Sequence, residues 1–490
     1  MSVINQKTKS IYKHKRQYVN KKVTVIVLLL LFSSACHRAE YYVQQGISKL
    51  EKKDYDGCLK DFDMAILRDP KNATAYYCRG FTRDALKDYR GAVEDFNVAI
   101  QLNPQDKEFY YNRGIAKANL YDYQGAIDDF NRVTELDPKD AYAYCSRGNS
   151  KFNLKDYQDA LKDFTKAIEF NLKDNDLYYN RGMTKEYTGD DRGAVEDFNV
   201  AIKLNPKNKE CYYHRGIAKA NLQDYQGAIQ DYDRAYELNL KDKKLYHNRG
   251  SAKIASKDFG GAIEDFSKAI ELDPKDAVAY YSKGASKTAL KDYREAVQDL
   301  DKAIELDPKY TTAYHTRAVA KSALKDSQGA LEDFSKALEL DPTYASAYNG
   351  RGFVKVLRSD IRGALDDFNN ALELDHTYAS AYNGRGVAKG ELKDYQGALE
   401  DFTRAISIQP NNETAYLNRG IAKANLYDYR GAIQDFIKLT ELNPNNAEVY
   451  YNMGIFKYKL NYKKDACLDW EKAKAMGFAG VHKVIQKYCR

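Results

Sequence analysis

The strongest constraint on the fold is a 34-residue period, which repeats thirteen times from Ala39 to Gly480 without an insertion or deletion. Two distant copies, residues 107–140 and 413–446, share the run Asn-Arg-Gly-Ile-Ala-Lys-Ala-Asn-Leu-Tyr-Asp-Tyr. A period of this length describes a small unit that cannot bury its own apolar face, so neighbouring units must stack. The sequence therefore predicts a solenoid rather than several unrelated domains.

Certain positions of the repeat, numbered 1 to 34, keep the same residue type. Position 4 is Tyr in all thirteen copies, position 8 is Gly except at Ala318, and position 20 is Ala except at Cys58. Position 24 is Phe in ten copies, with Tyr232, Leu300 and Trp470 in the others. This spacing predicts two amphipathic helices, which the small residues at positions 8 and 20 allow to approach closely.

The ends of these helices are also predictable. Asp is at position 16 in twelve copies, where it can cap the second helix by accepting a backbone hydrogen bond. All nine prolines are at position 32, and proline cannot continue a helix. Each copy therefore reads as helix, turn, helix, turn.

With Ala at position 27 as well, this pattern resembles the tetratricopeptide repeat, although that family often has Leu at position 7 and Tyr at position 11. Here both positions are mostly Arg or Lys. The resemblance implies an all-α, right-handed superhelical solenoid of thirteen helix-turn-helix repeats over residues 39–480.

Residues 481–490 follow the last repeat. The apolar residues of this segment recur at helical spacing, which predicts a C-terminal capping helix that seals the last hairpin. Cys467 and Cys489 could pair between that hairpin and the cap.

The N-terminus has the order of a secretory signal. Residues 1–22 contain seven basic and no acidic residues, and the run from Val23 to Phe32 is apolar except for Thr24. Ten residues are too few for a membrane-spanning helix, which needs about 20. We therefore predict a signal peptide over residues 1–35.

The segment that ends at Cys36 resembles a bacterial lipobox, in which the cysteine is lipidated and becomes the first residue of the mature chain. The departure is Ser33, where that motif usually has Leu. We expect an exported lipoprotein of the bacterial cell envelope, anchored at the outer membrane and facing the periplasm or the surface. Simple secretion and an uncleaved anchor remain alternatives.

The net charge changes when this segment is removed. The whole chain has 77 basic and 70 acidic residues, and seven of the basic residues lie within residues 1–35, so 70 of each sign remain. A neutral mature chain gives no reason to expect nucleic acid as a partner.

A basic stripe recurs on the first helix. Position 7 is Arg in ten copies and position 11 is basic in all thirteen, one helical turn away, while position 23 is Asp in all thirteen. The stripe could bind acidic ligands, but the regular Asp favours ion pairs inside the scaffold. Whether such pairs form within a repeat or between neighbours stays open.

The candidate binding residues are at positions 5 and 6. In related solenoids these positions face the concave groove, and the Asn series resembles the asparagine ladder of the O-linked N-acetylglucosamine transferase solenoid, which grips a peptide backbone. An amide can both donate and accept hydrogen bonds, so it suits any main chain. The predicted groove residues are Tyr77, Tyr111, Asn112, Tyr179, Asn180, Tyr213, Asn248, Tyr281, Asn418, Tyr451 and Asn452.

The sequence contains no catalytic triad, phosphate loop or Cys-x-x-Cys pair, so we expect no enzyme activity, no cofactor and no metal. The predicted function is a scaffold that binds proteins or peptides, with the membrane contacted through Cys36. A non-catalytic subunit of an envelope enzyme complex is one alternative. A glycan-binding or spacing role is another.

Overall fold

The computed structural model describes residues 36–489, with side chains from Arg38 onward. The predicted signal peptide lies outside the described residues, and so does the side chain of Cys36, the predicted lipidation site. Every regular element between Cys36 and Cys489 is an α-helix. In that part of the chain, no helix is both long and apolar enough to cross a membrane.

The chain forms two compact units, the first ending at Ser256 and the second beginning at Lys257. The first unit contains α1 (Cys36–Glu51), α2 (Tyr55–Arg68), α3 (Ala73–Ala85), α4 (Tyr89–Leu102), α5 (Lys107–Asn119), α6 (Tyr123–Leu136), α7 (Ala141–Asn153), α8 (Tyr157–Glu169), α9 (Asn175–Tyr187), α10 (Asp191–Leu204), α11 (Lys209–Asn221), α12 (Tyr225–Glu237) and α13 (Lys243–Ala255).

The second unit contains α14 (Phe259–Leu272), α15 (Ala277–Ala289), α16 (Tyr293–Leu306), α17 (Thr311–Ala323), α18 (Ser327–Leu340), α19 (Ala345–Leu357), α20 (Ile361–Leu374), α21 (Ala379–Glu391), α22 (Tyr395–Ile408), α23 (Glu413–Asn425), α24 (Tyr429–Leu442), α25 (Ala447–Lys459), α26 (Lys463–Ala475) and α27 (Val481–Tyr488). The described residues thus give two helices for each of the thirteen repeats and one terminal helix, which confirms the predicted all-α architecture.

The core of each hairpin consists of the small and aromatic residues that define the repeat. In the third repeat, Ala126, Phe130 and Val133 of α6 are fully buried. A Cβ added at Gly114 of α5 would lie 2.8 Å from the ring of Phe130, closer than real Cβ contacts. Position 8 is therefore small because the aromatic ring of position 24 lies directly against the first helix.

The aspartate at position 16 caps the second helix, as the sequence predicts. The Asp122 side chain accepts a hydrogen bond of 2.9 Å from the backbone N–H of Gly125, which satisfies one of the first N–H groups of α6. The same cap forms at eleven of the twelve aspartates, and Asp292 is the exception.

Repeats four and six, in which Leu172 and Leu240 replace the proline, end differently. Asn171 has a left-handed backbone with φ of 65°, and the N–H of Leu172 donates to the carbonyl of Ala167 at 3.1 Å. This is a Schellman-type end, which Asn tolerates better than most residues. The second helices of these repeats are one residue shorter than those that precede a proline.

The turn inside each hairpin also requires a residue with a left-handed backbone, at position 15. The residue types at this position do not predict that conformation. All thirteen repeats have a positive φ at this position, yet Gly189 is the only glycine among them. Tyr121 and Tyr427 adopt it with φ values of 65° and 63°. The turn therefore accepts a backbone cost of roughly 1–2 kcal/mol at most repeats, and the packed hairpin must offset this cost.

The terminal helix α27 closes the last hairpin. Val481 is fully buried, and the Tyr488 ring lies 6.0 Å from that of Trp470. Cys467 of α26 forms a disulfide with Cys489, immediately after α27. The cap is thus held by both apolar packing and a covalent bond, whereas Cys58, Cys78, Cys145 and Cys211 are buried free thiols.

Candidate functional site

The cations of the basic stripe form ion pairs with an aspartate of their own repeat. In the third repeat, Arg113 donates from Nε and Nη2 to both carboxylate oxygens of Asp129, and the Lys117 ammonium lies 2.9 Å from the same group. The Asp129 residue is only 3% exposed. Outside repeat seven, the equivalent ion pair is present in all ten repeats with a cation at position 7, and the pair from position 11 is present in all twelve. The question left open by the sequence is therefore settled in favour of pairing within a repeat.

The arginine at position 7 has two further contacts. Its remaining nitrogen donates to the polar residue at position 25 of the preceding repeat, as in the 2.7 Å bond from Arg113 to Asn97. Its guanidinium also lies over the ring at position 4, 5.6 Å from the centroid of Tyr110. Position 25 was not singled out from the sequence, because its residue type varies among Asn, Asp, Ser and Thr in repeats one to eleven and is Ile or Glu in the last two.

The hydrogen bonds from Arg385 to Asp401 raise the pKa of that guanidinium above its ordinary value. A stripe of arginines and lysines already bonded to buried carboxylates offers little free positive charge to an acidic ligand.

The structure divides the predicted groove residues into two groups. Five are less than a tenth exposed, and these are Tyr77, Tyr111, Asn112, Tyr179 and Asn180. The other six are partly exposed, and these are Tyr213, Asn248, Tyr281, Asn418, Tyr451 and Asn452. The buried group belongs to repeats two, three and five.

The tyrosines at position 5 pack against the aromatic residue at position 24 of their own repeat. The ring centroids are 5.9 Å apart for Tyr77 and Phe96, and 6.0 Å apart for Tyr179 and Phe198. Burial raises the pKa of both tyrosines well above the ordinary value. These two rings therefore belong to the packing of their own repeats, and their role in binding stays a prediction.

The asparagines at position 6 connect neighbouring repeats. The Asn112 amide donates to the Tyr77 hydroxyl of the preceding repeat at 3.1 Å, and Asn248 donates to Tyr213 at 2.9 Å. Asn418 makes the corresponding bond of 3.2 Å to the amide oxygen of Asn383. In these three cases, the asparagine at position 6 thus donates to the residue at position 5 of the preceding repeat.

The last predicted residues lie beside the cap. The Tyr451 ring is stacked on that of Phe478 with centroids 4.6 Å apart, and its carbonyl accepts a 3.1 Å hydrogen bond from the Trp470 indole. Asn452 follows on the same helix, α25, and is partly exposed. The described part of the chain contains no group of three or more His, Cys, Asp or Glu side chains arranged to hold a metal ion.

Comparison with protein-family models identifies the family of this repeat. Three family models, each described as tetratricopeptide repeat, match more than half of the 490 residues between them. The matched segments are 71–141, 141–174, 179–239, 243–276, 277–310, 311–344 and 379–412. No curated protein matches the chain at a significant level.

Several solved structures are similar to parts or most of the chain. One chain in the structure of the APC/C heterotetramer Cut9–Hcn1 aligns over 92% of this chain and 97% of its own length, with 15% identity and a TM-score of 0.45. YrrB, described as a TPR protein with an unusual peptide-binding site, aligns over 38% of this chain and 97% of its own, with 27% identity and a TM-score of 0.34. Yeast Tom70 aligns over 91% and 99%, with 18% identity and a TM-score of 0.39. On the repeat pattern, the paired helices and the family models together, the chain belongs to the tetratricopeptide-repeat family.

Proposed function

We propose that this protein is an exported adaptor of the bacterial cell envelope that binds peptides or proteins along the groove formed by its first helices. The fold supports this proposal because tetratricopeptide-repeat solenoids are typical of protein-interaction scaffolds. The observation that carries it is the distribution of polar groups. The charged stripe is neutralised inside the scaffold, whereas partly exposed amides and rings remain at positions 5 and 6.

The chemistry of those amides suits a peptide main chain. A side-chain amide has two N–H donors and an acceptor oxygen, so the single bond from Asn418 to Asn383 does not exhaust it. Because the pairing leaves little free positive charge, we expect the partner to be recognised by shape and hydrogen bonds rather than by net acidity.

Export is supported by two independent features. The N-terminal 35 residues have the composition of a signal peptide, and the chain carries the Cys467–Cys489 disulfide. Disulfides persist mainly in oxidising compartments such as the periplasm and the cell surface. We further propose that Cys36 is lipidated and anchors the mature chain at the outer membrane.

The groove is tested by crosslinking in cells, followed by capture of the tagged protein. The test variant combines Asn248→Ala, Asn418→Ala and Asn452→Ala, which alter partly exposed predicted groove residues in both units. The matched control combines Gln124→Ala, Gln328→Ala and Gln396→Ala, which remove three exposed amides at position 18 of second helices. We expect a discrete protein partner that the control retains and the groove variant loses.

Equal capture by both variants would refute binding through this groove. Release of the partner by an oligosaccharide, but not by a peptide from that partner, would favour the glycan-binding alternative. Co-capture of an enzyme whose activity does not depend on the groove would favour the enzyme-complex alternative.

The anchor is tested by a Cys36→Ser variant and metabolic labelling with a fatty-acid analogue. We expect the wild type to be labelled and membrane-associated, and the variant to be unlabelled and soluble. An unlabelled wild type would contradict lipidation while leaving the groove proposal intact.

A further inference from the structure

A cavity of about 390 Å³ lies between the first helices of repeats eleven and twelve, inside the second unit. Its volume is at the lower end of the range for ligand pockets. The lining residues are Gly386, Val387, Gly390, Glu391, Lys393, Tyr395, Ala398, Phe402, Asn418, Ile421, Ala422 and Asn425. One of them, Asn418 at position 6 of repeat twelve, is a predicted groove residue.

Gly390, at position 12 of the eleventh repeat in α21, lines the cavity. Every other repeat has a side chain at this position, including Phe152 in repeat four and Val356 in repeat ten. A Cβ added at Gly390 would meet no atom within 4 Å, so the packing of the scaffold does not require glycine. Glycine weakens a helix relative to alanine, and one of its uses is to let a ligand approach the backbone closely.

The floor of the cavity is apolar. Ala398, Phe402 and Ala422 form a buried cluster, with Val387 packed against it. Ile421 is 42% exposed, although it lies beside this cluster. An apolar floor that leads to an exposed apolar residue suits a side chain that is removed from water on binding.

The rim of the cavity is polar but carries no net charge, because Glu391 and Lys393 balance each other. The Asn425 amide donates one hydrogen bond of 3.0 Å to the carbonyl of Ile421, and Asn418 uses one donor toward Asn383. Each amide therefore retains a second donor and its oxygen for a main chain that passes the rim. A charged side chain would find no counter-charge on the apolar floor.

We propose that this cavity is a specificity pocket for one large, uncharged apolar side chain, aromatic or branched aliphatic, of a bound peptide. The Asn418 and Asn425 amides bond the main chain on either side of that residue. This inference rests on the proposed function and adds to it the part of the groove, and the class of side chain, that select the partner.

The test uses photo-crosslinking, which records weak binding. The probe is the blocked, neutral heptapeptide Ser-Ala-Ser-X-Ser-Ala-Ser, in which X is benzoylphenylalanine, with excess Ser-Ala-Ser-Phe-Ser-Ala-Ser as competitor. We expect crosslinks on α21 and α23. An excess of the Phe peptide should suppress these crosslinks, whereas an excess of the same peptide with central Ala or Glu should not. The Gly390→Phe variant fills the pocket with the residue that repeat four has there, and we expect roughly tenfold less crosslinking.

The matched control is Gly390→Ala, which adds one methyl group and should keep the crosslinks. Circular dichroism of both variants verifies that they are folded. Crosslinks on other first helices that Gly390→Phe leaves unchanged would refute the pocket but retain the proposed groove. Crosslinks on no first helix would refute both.

Discussion

Removing the carboxylate of Asp129 tests whether the basic stripe is structural. In the Asp129→Asn variant, the guanidinium of Arg113 and the ammonium of Lys117 lose the carboxylate that both contact. These two side chains are only 18% and 20% exposed, so water can compensate only part of the loss. The breaking of a buried ion pair costs about 3–5 kcal/mol, and with this partial exposure we expect about 3 kcal/mol of local stability to be lost.

The control is Glu135→Gln in the same hairpin. Glu135 pairs with Arg132 across one helical turn, and the two side chains are 62% and 38% exposed. Exposed pairs of this kind contribute about 0–1 kcal/mol. The control should therefore change stability by less than about 1 kcal/mol, although it removes the same unit of charge.

The assay is native-state hydrogen exchange of α5 and α6, because a long repeat array does not unfold in a single step and a global melting temperature would average over all repeats. About 3 kcal/mol corresponds to roughly a hundredfold faster exchange of protected amides in these two helices. Equal exchange in Asp129→Asn and Glu135→Gln would refute the reasoning. The arginines and lysines of the stripe would then be available to acidic ligands. That result would contradict the proposal that the partner is recognised by shape and hydrogen bonds rather than by net acidity.

Three further predictions concern other parts of the chain. Gly114→Ala should destabilise the third repeat by about 1–3 kcal/mol through its clash with the Phe130 ring, measured by the same exchange experiment. Cys489→Ser should lower the stability of the cap by about 3 kcal/mol, the usual value for a loop of this size, and should speed exchange in α27. Burial lowers the pKa of His315 from 6.5, so local stability should fall as the pH drops below about 6.5, and His315→Gln should weaken this dependence in hydrogen exchange of α17.

Each of these has a contrary outcome. If Gly114→Ala is as harmless as Gly390→Ala, where the added Cβ meets nothing, the ring does not limit position 8. Unchanged exchange in α27 of the Cys489→Ser variant would mean that apolar packing alone holds the cap. An identical pH profile for His315→Gln would place the acid sensitivity in other groups.

The sequence alone determined the architecture, because a strict period forces the same local solution in every copy. Position 16 is an example, since Asp is an intrinsic helix cap and its role depends on backbone groups only three residues away. Proline at position 32 is another, because it breaks a helix whatever surrounds it. Such local rules are independent of how the repeats stack.

Only the tertiary structure decided which polar side chains form ion pairs and hydrogen bonds inside the scaffold. The cations at positions 7 and 11 could have faced a ligand, but Asp129 and its equivalents are brought beside them by the fold of the hairpin. Asn112 and Tyr77 are a full repeat apart in sequence, and they meet because the stacking of neighbouring hairpins brings α3 and α5 close together. The free space beside Gly390 likewise depends on what surrounds it, since glycine lines a cavity in one helix and allows a close contact in another. Hydrogen bonding and burial depend on three-dimensional neighbours, and a repeat pattern specifies these only in part.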